Sequence, residues 1–400
     1  MSIFLRVVPV SDAIRAVRKI AVPAGCETVP VADARGRILC RDVQAPGDIP
    51  GFARSVVDGY AVIASDTQGA GEAMPAMLTC TGRIAMGVPG DLPVRSGECR
   101  YIPTGGVLPA GADAAAMIEY TEAVGDEVLI RKPVAPGENI IRRGEDYPEG
   151  GVVLPAGTRI GARGLGVLAA AGCDRVTVAV PPKVGIISTG NELVPVAAVP
   201  GPGEVRDANT YLCSGFVEEK GGIPVRYGIV RDDRDSLAAA LERAVAECDI
   251  VLLSGGSSKD DRDMCADTIA RFGEVLIHGI AIAPGKPTII GTAAGKPVIG
   301  LPGHPASAFV VLHAIGTPLM AATTGETGRD RTVPSVLAQN IPSAKGRQDY
   351  VRVRFEGDTV VPVFGKSGLL NTLVQSDGMV IVPAGREGLE PGERVEVHLW

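Results

Sequence analysis

The chain lacks most of the side-chain patterns that announce metal or covalent chemistry. It has four histidines, and its eight cysteines, at 26, 40, 80, 99, 173, 213, 248 and 265, form no C-x-x-C pair. Neither a zinc site nor a disulfide framework is therefore expected. No H-E-x-x-H, no Walker A and no G-x-G-x-x-G opening an α/β segment occurs. No nucleophilic triad can be assembled, because Ser188, Ser254 and Ser307 have no histidine whose partnership follows from sequence. A basic excess is also missing: 39 Lys and Arg face 46 Asp and Glu, for a net charge of −7. That argues against a nucleic-acid partner, since nothing is left over to neutralise phosphates. No uninterrupted apolar run reaches about 18 residues, so no membrane span is expected. The N-terminus shows no apolar core and no small-residue cleavage site of a secretory signal. These absences predict a soluble protein of the reducing cytoplasm.

What is present is an ordinary globular composition, 46 % hydrophobic and 21 % charged over 400 residues, enough for two to four domains. Residues 11–21 read as an amphipathic helix opened by Ser11 or Asp12 as N-cap. Between 46 and 137, short β-like runs alternate with Gly/Pro turns every eight to twelve residues, the spacing of a β-rich module. From Lys183 the pattern turns to β-α-β alternation, which predicts a parallel sheet covered by helices on both faces. Residues 332–400 return to β-alternation. The expected domains are 1–45 joined with 138–177, an inserted β-rich domain at 46–137, an α/β domain at 178–326 and a C-terminal β domain at 327–400.

The α/β segment carries the chemistry. P-G-K-P-T at 284–288 and G-L-P-G-H-P-A-S at 300–307 flank a short apolar strand, and S-G-G at 254–256 ends another. Small-residue turns let backbone N–H groups approach an oxyanion, and Lys286 adds a positive charge beside them. Three such turns at strand ends predict a crevice for an anionic ligand. Acidic residues lie near strand ends too: Glu192, Asp232 and Asp263 suit a hydrated Mg²⁺ held between protein and phosphate. Asp232, Asp233 and Asp235 serve equally well as caps of the helix that follows. His304, the one histidine in this candidate site, reads as a structural hydrogen-bond partner. The pattern suits positioning of a phosphate-bearing ligand and a metal.

Read together, S-V-V-D-G-Y-A-V at 55–62, P-T-G-G-V-L-P-A-G-A-D-A at 103–114, I-R-R-G-E-D at 141–146, S-T-G-N-E-L at 188–193 and E-V-R-D-A-N at 204–209 join the three turns in one order. The chain thus resembles the molybdopterin molybdenumtransferases, the MoeA and gephyrin E-domain family, over essentially its full length. The resemblance implies an elongated homodimer of multidomain subunits. It also implies a three-layer α/β/α domain resembling molybdopterin adenylyltransferase, and a barrel-like C-terminal β domain. It implies an active site between the α/β domain of one subunit and the C-terminal domain of the other. The implied reaction takes adenylylated molybdopterin and molybdate, cleaves the adenylate with Mg²⁺, and yields AMP and molybdenum cofactor. Molybdopterin adenylyltransferase would donate the substrate, and molybdoenzymes or their chaperones would accept the product.

By the same resemblance, Asp58 and Thr104 match functional positions of the second domain. Glu192, Asp232 and Asp263 match the acids that handle metal and adenylate. Ser188, Thr189 and Gly190, with Ser254, Gly255 and Gly256, match turns near the pterin phosphate. Ser258, Lys286 and Ser307 match positions near the oxyanion. Pro302, Gly303, His304 and Pro305 form the last turn. Arg352 is the oxyanion partner expected from the C-terminal domain, with Ser367 and Ser376 as weaker matches. The chain also departs from the family pattern. Ala283 stands where a cation usually precedes P-G-K-P, Gly279 replaces a second lysine, and His304 replaces asparagine. Lys259 and Asp260 replace a small pair. Lys259 or His304 is expected to restore part of the lost positive potential. A tungstate-preferring enzyme, and a pterin-binding or scaffolding homologue, are the alternatives these departures leave.

Overall fold

The computed structural model describes residues 7–88, 92–255, 259–328 and 331–400, with residues 259–263 described by backbone alone. The first helix, Val10–Ile20, buries Val10, Ala13 and Val17 at helical spacing. It starts earlier than expected: Pro9, with φ fixed near its ring value, occupies the cap position. Asp12 instead sits in the first turn and pairs with Arg15 at 2.7 Å.

Residues beyond this helix interleave with a later segment. Cys26–Pro30 pairs antiparallel with Arg175–Ala179, and Val43–Gln44 with Val152–Leu154. Here the absence of a disulfide has to be corrected, for Cys26 and Cys40 are joined, with Cα atoms 6.4 Å apart. Both flank the Arg175–Ala179 strand: Cys26 lies opposite Ala179, and the Cys40 N–H donates to the Thr177 carbonyl. Sheet register brings the two thiols together without a sequence motif. With Cys26 and Cys40 joined, the cysteine spacing does not mark a reducing compartment. Between the two interleaved segments lies a six-stranded sheet built from Gly59–Val62, Ala76–Arg83, Glu98–Ile102, Ala114–Met117, Thr121–Val124 and Glu127–Ile130. Gly59 is required there, because a Cβ would lie 1.9 Å from the Ala116 carbonyl oxygen of the neighbouring strand.

The α/β sheet runs in the order Ile223–Val230, Lys183–Thr189, Ile250–Ser254, Lys296–Leu301, Ile289–Ala293, Gly273–His278. Its central strands are apolar on both faces because both are covered. Ile250 and Leu252 face a core shared with the helices Val10–Ile20, Asn209–Glu219 and Pro305–Val311. Val251 and Leu253 face Arg234–Glu247 and Lys259–Phe272. The expected parallel sheet is mixed. Four strands are parallel, but Ile289–Ala293 pairs antiparallel with both of its neighbours. The cause is a two-residue hairpin, Ala294–Gly295, with φ of 50° and 77°; such a turn can join only antiparallel strands.

Leu301 leads into a helical run expected to be uniform. It is α over Pro305–Val311, π over Leu312–Gly316 and α again over Thr317–Thr324. Pro318 lacks the N–H that a continuous ladder would need. By length and composition Pro305–Thr324 suffices to cross a membrane, but it is 67 % buried inside the protein, as a core helix is.

In the C-terminal region, Gln348–Glu356, Thr359–Pro362, Thr332–Leu337, Arg394–Leu399 and Gly378–Val382 pair in a ring closed between the first and last, a five-stranded barrel. Strand pairing and aromatic packing help fasten it to the α/β domain. Ile282–Ala283 pairs parallel with Gln348 and Asp349. The terminal Trp400 packs its ring against Phe309 and His313, at 4.7 and 5.2 Å between centroids.

His313, on the π turn, also meets Phe216. Burial, and secondarily the Lys220 charge, push its pKa down to about 3. The unfolded imidazole takes up a proton near pH 6.5 while the folded one does not, so this contribution is complete above that pH and is lost as pH falls. At pH 5 the loss amounts to about 2 kcal/mol. Denaturant titrations at pH 7.5 and 5 should show this drop in the wild type and a smaller one in His313→Phe. Equal drops would clear His313.

Candidate functional site

Three turns follow the carboxyl ends of the parallel strands, and a fourth precedes the amino end of the antiparallel Ile289–Ala293. Near the end of the Lys183–Thr189 strand, the Ser188 hydroxyl donates to Asp207 Oδ1 at 3.0 Å and lies 2.9 Å from Thr210 Oγ1, all buried. Thr189 Oγ1 donates to Asp232 Oδ1 at 2.8 Å, and the Asn191 N–H to Asp232 Oδ2 at 3.0 Å. Asp232 thus reaches across to the neighbouring turn. Its neighbour Asp233 is the helix cap, accepting from the Ser236 N–H at 2.8 Å. The hydrogen bonds from Ser236 hold the Asp233 carboxyl below its ordinary range. Glu192 folds its carboxylate over Gly190, where a Cβ would lie 2.7 Å from Oε2. Glu192 and Asp232 therefore border one turn.

The second turn follows Ile250–Ser254. A Cβ on Gly255 would lie 2.3 Å from the Thr189 carbonyl oxygen, so the first two turns touch backbone to backbone. Gly256 and Ser258 lie outside the described residues, as do the side chains of Asp263, Lys259 and Asp260. Among the described residues, no group of three His, Cys, Asp or Glu stands ready for a metal.

The third turn is Pro302–Gly303–His304–Pro305. Buried Asn209 links it to the second, its Nδ2 donating at 2.8 Å to both Ser254 Oγ and the Gly303 carbonyl. Pro305 opens the helix that carries Ser307, itself buried. His304 Nδ1 lies 2.8 Å from Ser367 Oγ, and the Ala306 N–H donates to the Ser367 carbonyl at 3.1 Å. The histidine thus ties the turn to the barrel, the structural part expected of it.

The fourth turn is Ala283–Lys286. Thr288 Oγ1 donates to the Gly285 carbonyl at 2.6 Å and the Ile280 N–H to the Lys286 carbonyl at 3.0 Å. Gly285 is in the left-handed region at φ 123°, and a Cβ there would lie 2.5 Å from Val311. This turn, the third and a barrel loop enclose a cavity of about 550 Å³. Lys286, His304, Lys345 and Arg347 line it, with Ser307 and Ser367, and no carboxylate does. Both walls come from one chain. Such a cavity suits a small, multiply charged anion.

Several predicted residues lie elsewhere. Asp58 and Thr104 meet in the inserted domain, where the Thr104 N–H donates to Asp58 Oδ1 at 2.8 Å; both are exposed and neither lines the cavity. Ser188, Thr189, Gly190, Glu192, Asp232, Ser254 and Gly255 lie at the first two turns and do not line the cavity; Asn209 connects Ser254 to Gly303, which does. Arg352 is buried in the barrel. It donates to the Gly365 carbonyl at 3.1 Å, Nε and Nη1 have no hydrogen-bond partner among the described residues, and burial lowers its pKa. It backs the segment that carries Ser367 and does not line the cavity wall. Ser376 receives the Trp400 indole N–H.

Sequence reasoning missed Asp207 and Asn209, although E-V-R-D-A-N held them. It also missed Lys345 and Arg347, for which A-K-G-R-Q-D, two cations around a glycine before a strand, was the available signal.

Residues 8–172 match the MoeA N-terminal region (domain I and II), 185–322 the "Probable molybdopterin binding domain", and 334–400 the MoeA C-terminal region (domain IV). The molybdopterin molybdenumtransferase of Bacillus subtilis is 30 % identical across 98 % of this chain and 94 % of its own length. That of Staphylococcus aureus is 32 % identical across 98 % and 95 %. The crystal structure of the molybdopterin biosynthesis MoeA protein from Pyrococcus horikoshii superposes with a TM-score of 0.87 at 33 % identity, covering 99 % of this chain and 100 % of that one. With fold, turns and near full-length similarity in agreement, the chain belongs to the MoeA family of enzymes, the molybdopterin molybdenumtransferases.

Proposed function

We infer that this chain inserts molybdenum from molybdate into adenylylated molybdopterin, cleaving the adenylate and releasing AMP and molybdenum cofactor. The observation that carries the reading is the acid-free cavity lined by Lys286, His304, Lys345 and Arg347 beside the strand-end turns. Molybdate and a phosphate are both oxyanions, and here one chain offers two adjoining places for them. The Gly190 and Gly255 turns are assigned to the phosphate because they follow two adjacent parallel strands at their carboxyl ends, where open α/β sheets bind ligands. The cavity suits molybdate. The dithiolene sulfurs of the pterin would complete the metal's coordination.

The residues present fit a Mg²⁺ requirement. Asp232 keeps a lone pair on each oxygen beyond its bonds to Thr189 and Asn191, and Glu192 borders the same turn. Bound between these carboxylates and a substrate phosphate, with Asp263 as the further candidate, Mg²⁺ would offset their mutual repulsion. The chain's own groups orient the phosphate, hold the oxyanion and fix the turns against one another. Asp58 and Thr104, exposed on the inserted domain, are assigned to the active site of a second copy, in a homodimer with shared sites. Molybdopterin adenylyltransferase as donor, molybdoenzymes or their chaperones as acceptors, and a cytoplasmic setting complete the proposal.

The test is AMP release from purified protein given adenylylated molybdopterin and Mg²⁺, with molybdate, with tungstate, and with neither. Oxyanion-dependent release is expected. Release with tungstate alone would make this a tungsten-inserting enzyme, and bound pterin without release a binding protein.

A further inference from the structure

The two barrel cations that line the cavity, Lys345 and Arg347, come from one loop whose backbone is fixed at several points. Residues Ile282 and Ala283 pair with Gln348 and Asp349, and the Gln348 N–H donates to the Ala281 carbonyl at 2.8 Å. The Gly346 N–H is held by the Ala384 carbonyl at 2.9 Å. The loop bearing Lys345 and Arg347 is therefore fastened beside the Lys286 turn. Arg347 is then aimed by Asp349, which is 7 % exposed. Arg347 Nε lies 2.8 Å from Asp349 Oδ1, and Ser343 Oγ donates to Oδ2 at 2.8 Å.

We propose that Arg347, aided by Lys345, is the specificity-determining contact that makes this cavity select doubly charged tetrahedral oxyanions, with Asp349 as its positioning residue. The α/β wall offers Lys286 as its only permanent cation among the lining residues. One cation balances a monoanion. A dianion such as molybdate needs a second on the opposite side, and the barrel wall supplies it. A guanidinium has five N–H donors in a planar fork. Nε faces Asp349 Oδ1, and Nη2 donates to Oδ2 at 3.4 Å. The two Nη1 hydrogens and the second Nη2 hydrogen remain for ligand, and that edge suits two oxygens of one anion. Lys345 is the weaker member: its contact to Glu387, 3.3 Å between exposed side chains, leaves the ammonium available.

This proposal rests on the reading of the cavity as the oxyanion site, and its test separates the two. Binding of molybdate and of perrhenate, a singly charged tetrahedral oxyanion of similar size, is measured by calorimetry on the full chain without pterin. The wild type should favour molybdate. Arg347→Ala should weaken molybdate about tenfold or more and perrhenate much less, about a tenfold change being one hydrogen-bonded charge contact. Arg347→Lys should recover part of the loss. Lys345→Ala, an exposed substitution that leaves the fold intact, should weaken molybdate about threefold. Asp349→Asn should reduce discrimination between the anions while Lys286 still binds both. Molybdate affinity within twofold of wild type in Arg347→Ala overturns the proposal, as does a wild type that binds perrhenate equally well. If Lys286→Ala alone weakens both anions, the cavity reading survives without it. If no cavity variant changes molybdate binding, that reading fails as well.

Discussion

Lys286→Ala should lower molybdate-dependent AMP release by about 10²–10³, the usual cost of removing one preorganised donor from a charged reacting group. Three features hold Lys286 at the cavity mouth: the Thr288 bond to Gly285, the Ile280 bond to the Lys286 carbonyl, and the close approach of Gly285 to Val311. The substitution removes charge without disturbing that turn, since the side chain is exposed. Lys286→Arg should fall between, because a planar fork replaces a compact point charge. Steady-state kinetics with molybdate varied would separate the effects. A loss mainly in KM marks ground-state binding, and an equal loss in kcat marks a contact made as molybdenum is transferred. Rates within twofold of wild type would remove Lys286 from the site.

Asn209→Ala should cost about 2–4 kcal/mol of stability and most of the activity. One buried amide group serves two acceptors, Ser254 Oγ and the Gly303 carbonyl. Its removal leaves both without that donor, and a buried unsatisfied group costs about 1–3 kcal/mol. The second and third turns would then be free to drift apart, so phosphate and oxyanion would no longer be held in register. Thermal unfolding and AMP release, read on the same preparation, decide the matter. An unchanged unfolding temperature would mean that the turns are held by packing alone.

Much of this was legible in the sequence, for physical reasons that differ by element. The runs VGIIST, DIVLL and the 297–300 segment read as strands because a sheet covered on both faces needs continuous apolar stretches. The turns read as binding elements because Gly and Pro there leave backbone exposed. The mixed sheet was not legible, since Ala294–Gly295 is a turn in which alanine takes a positive φ that composition does not announce. The Cys26–Cys40 pair depends on two residues reaching the same strand from different sides. Arg352, matched by motif, is buried in the barrel, while the cations on the cavity wall sit five and seven residues earlier, in the loop. Among the departures from the family pattern, Ala283 and His304 both line the cavity, and His278 is buried. Lys259, the other candidate for restoring charge, lies with its side chain outside the described residues.

The most direct measurement is anomalous diffraction from crystals of the full chain soaked in tungstate. A single strong peak in the cavity, within hydrogen-bonding reach of Lys286 and of Arg347, is the expected result. A peak at the Ser254–Gly255 turn, with the cavity empty, would contradict it and exchange the places assigned to oxyanion and phosphate.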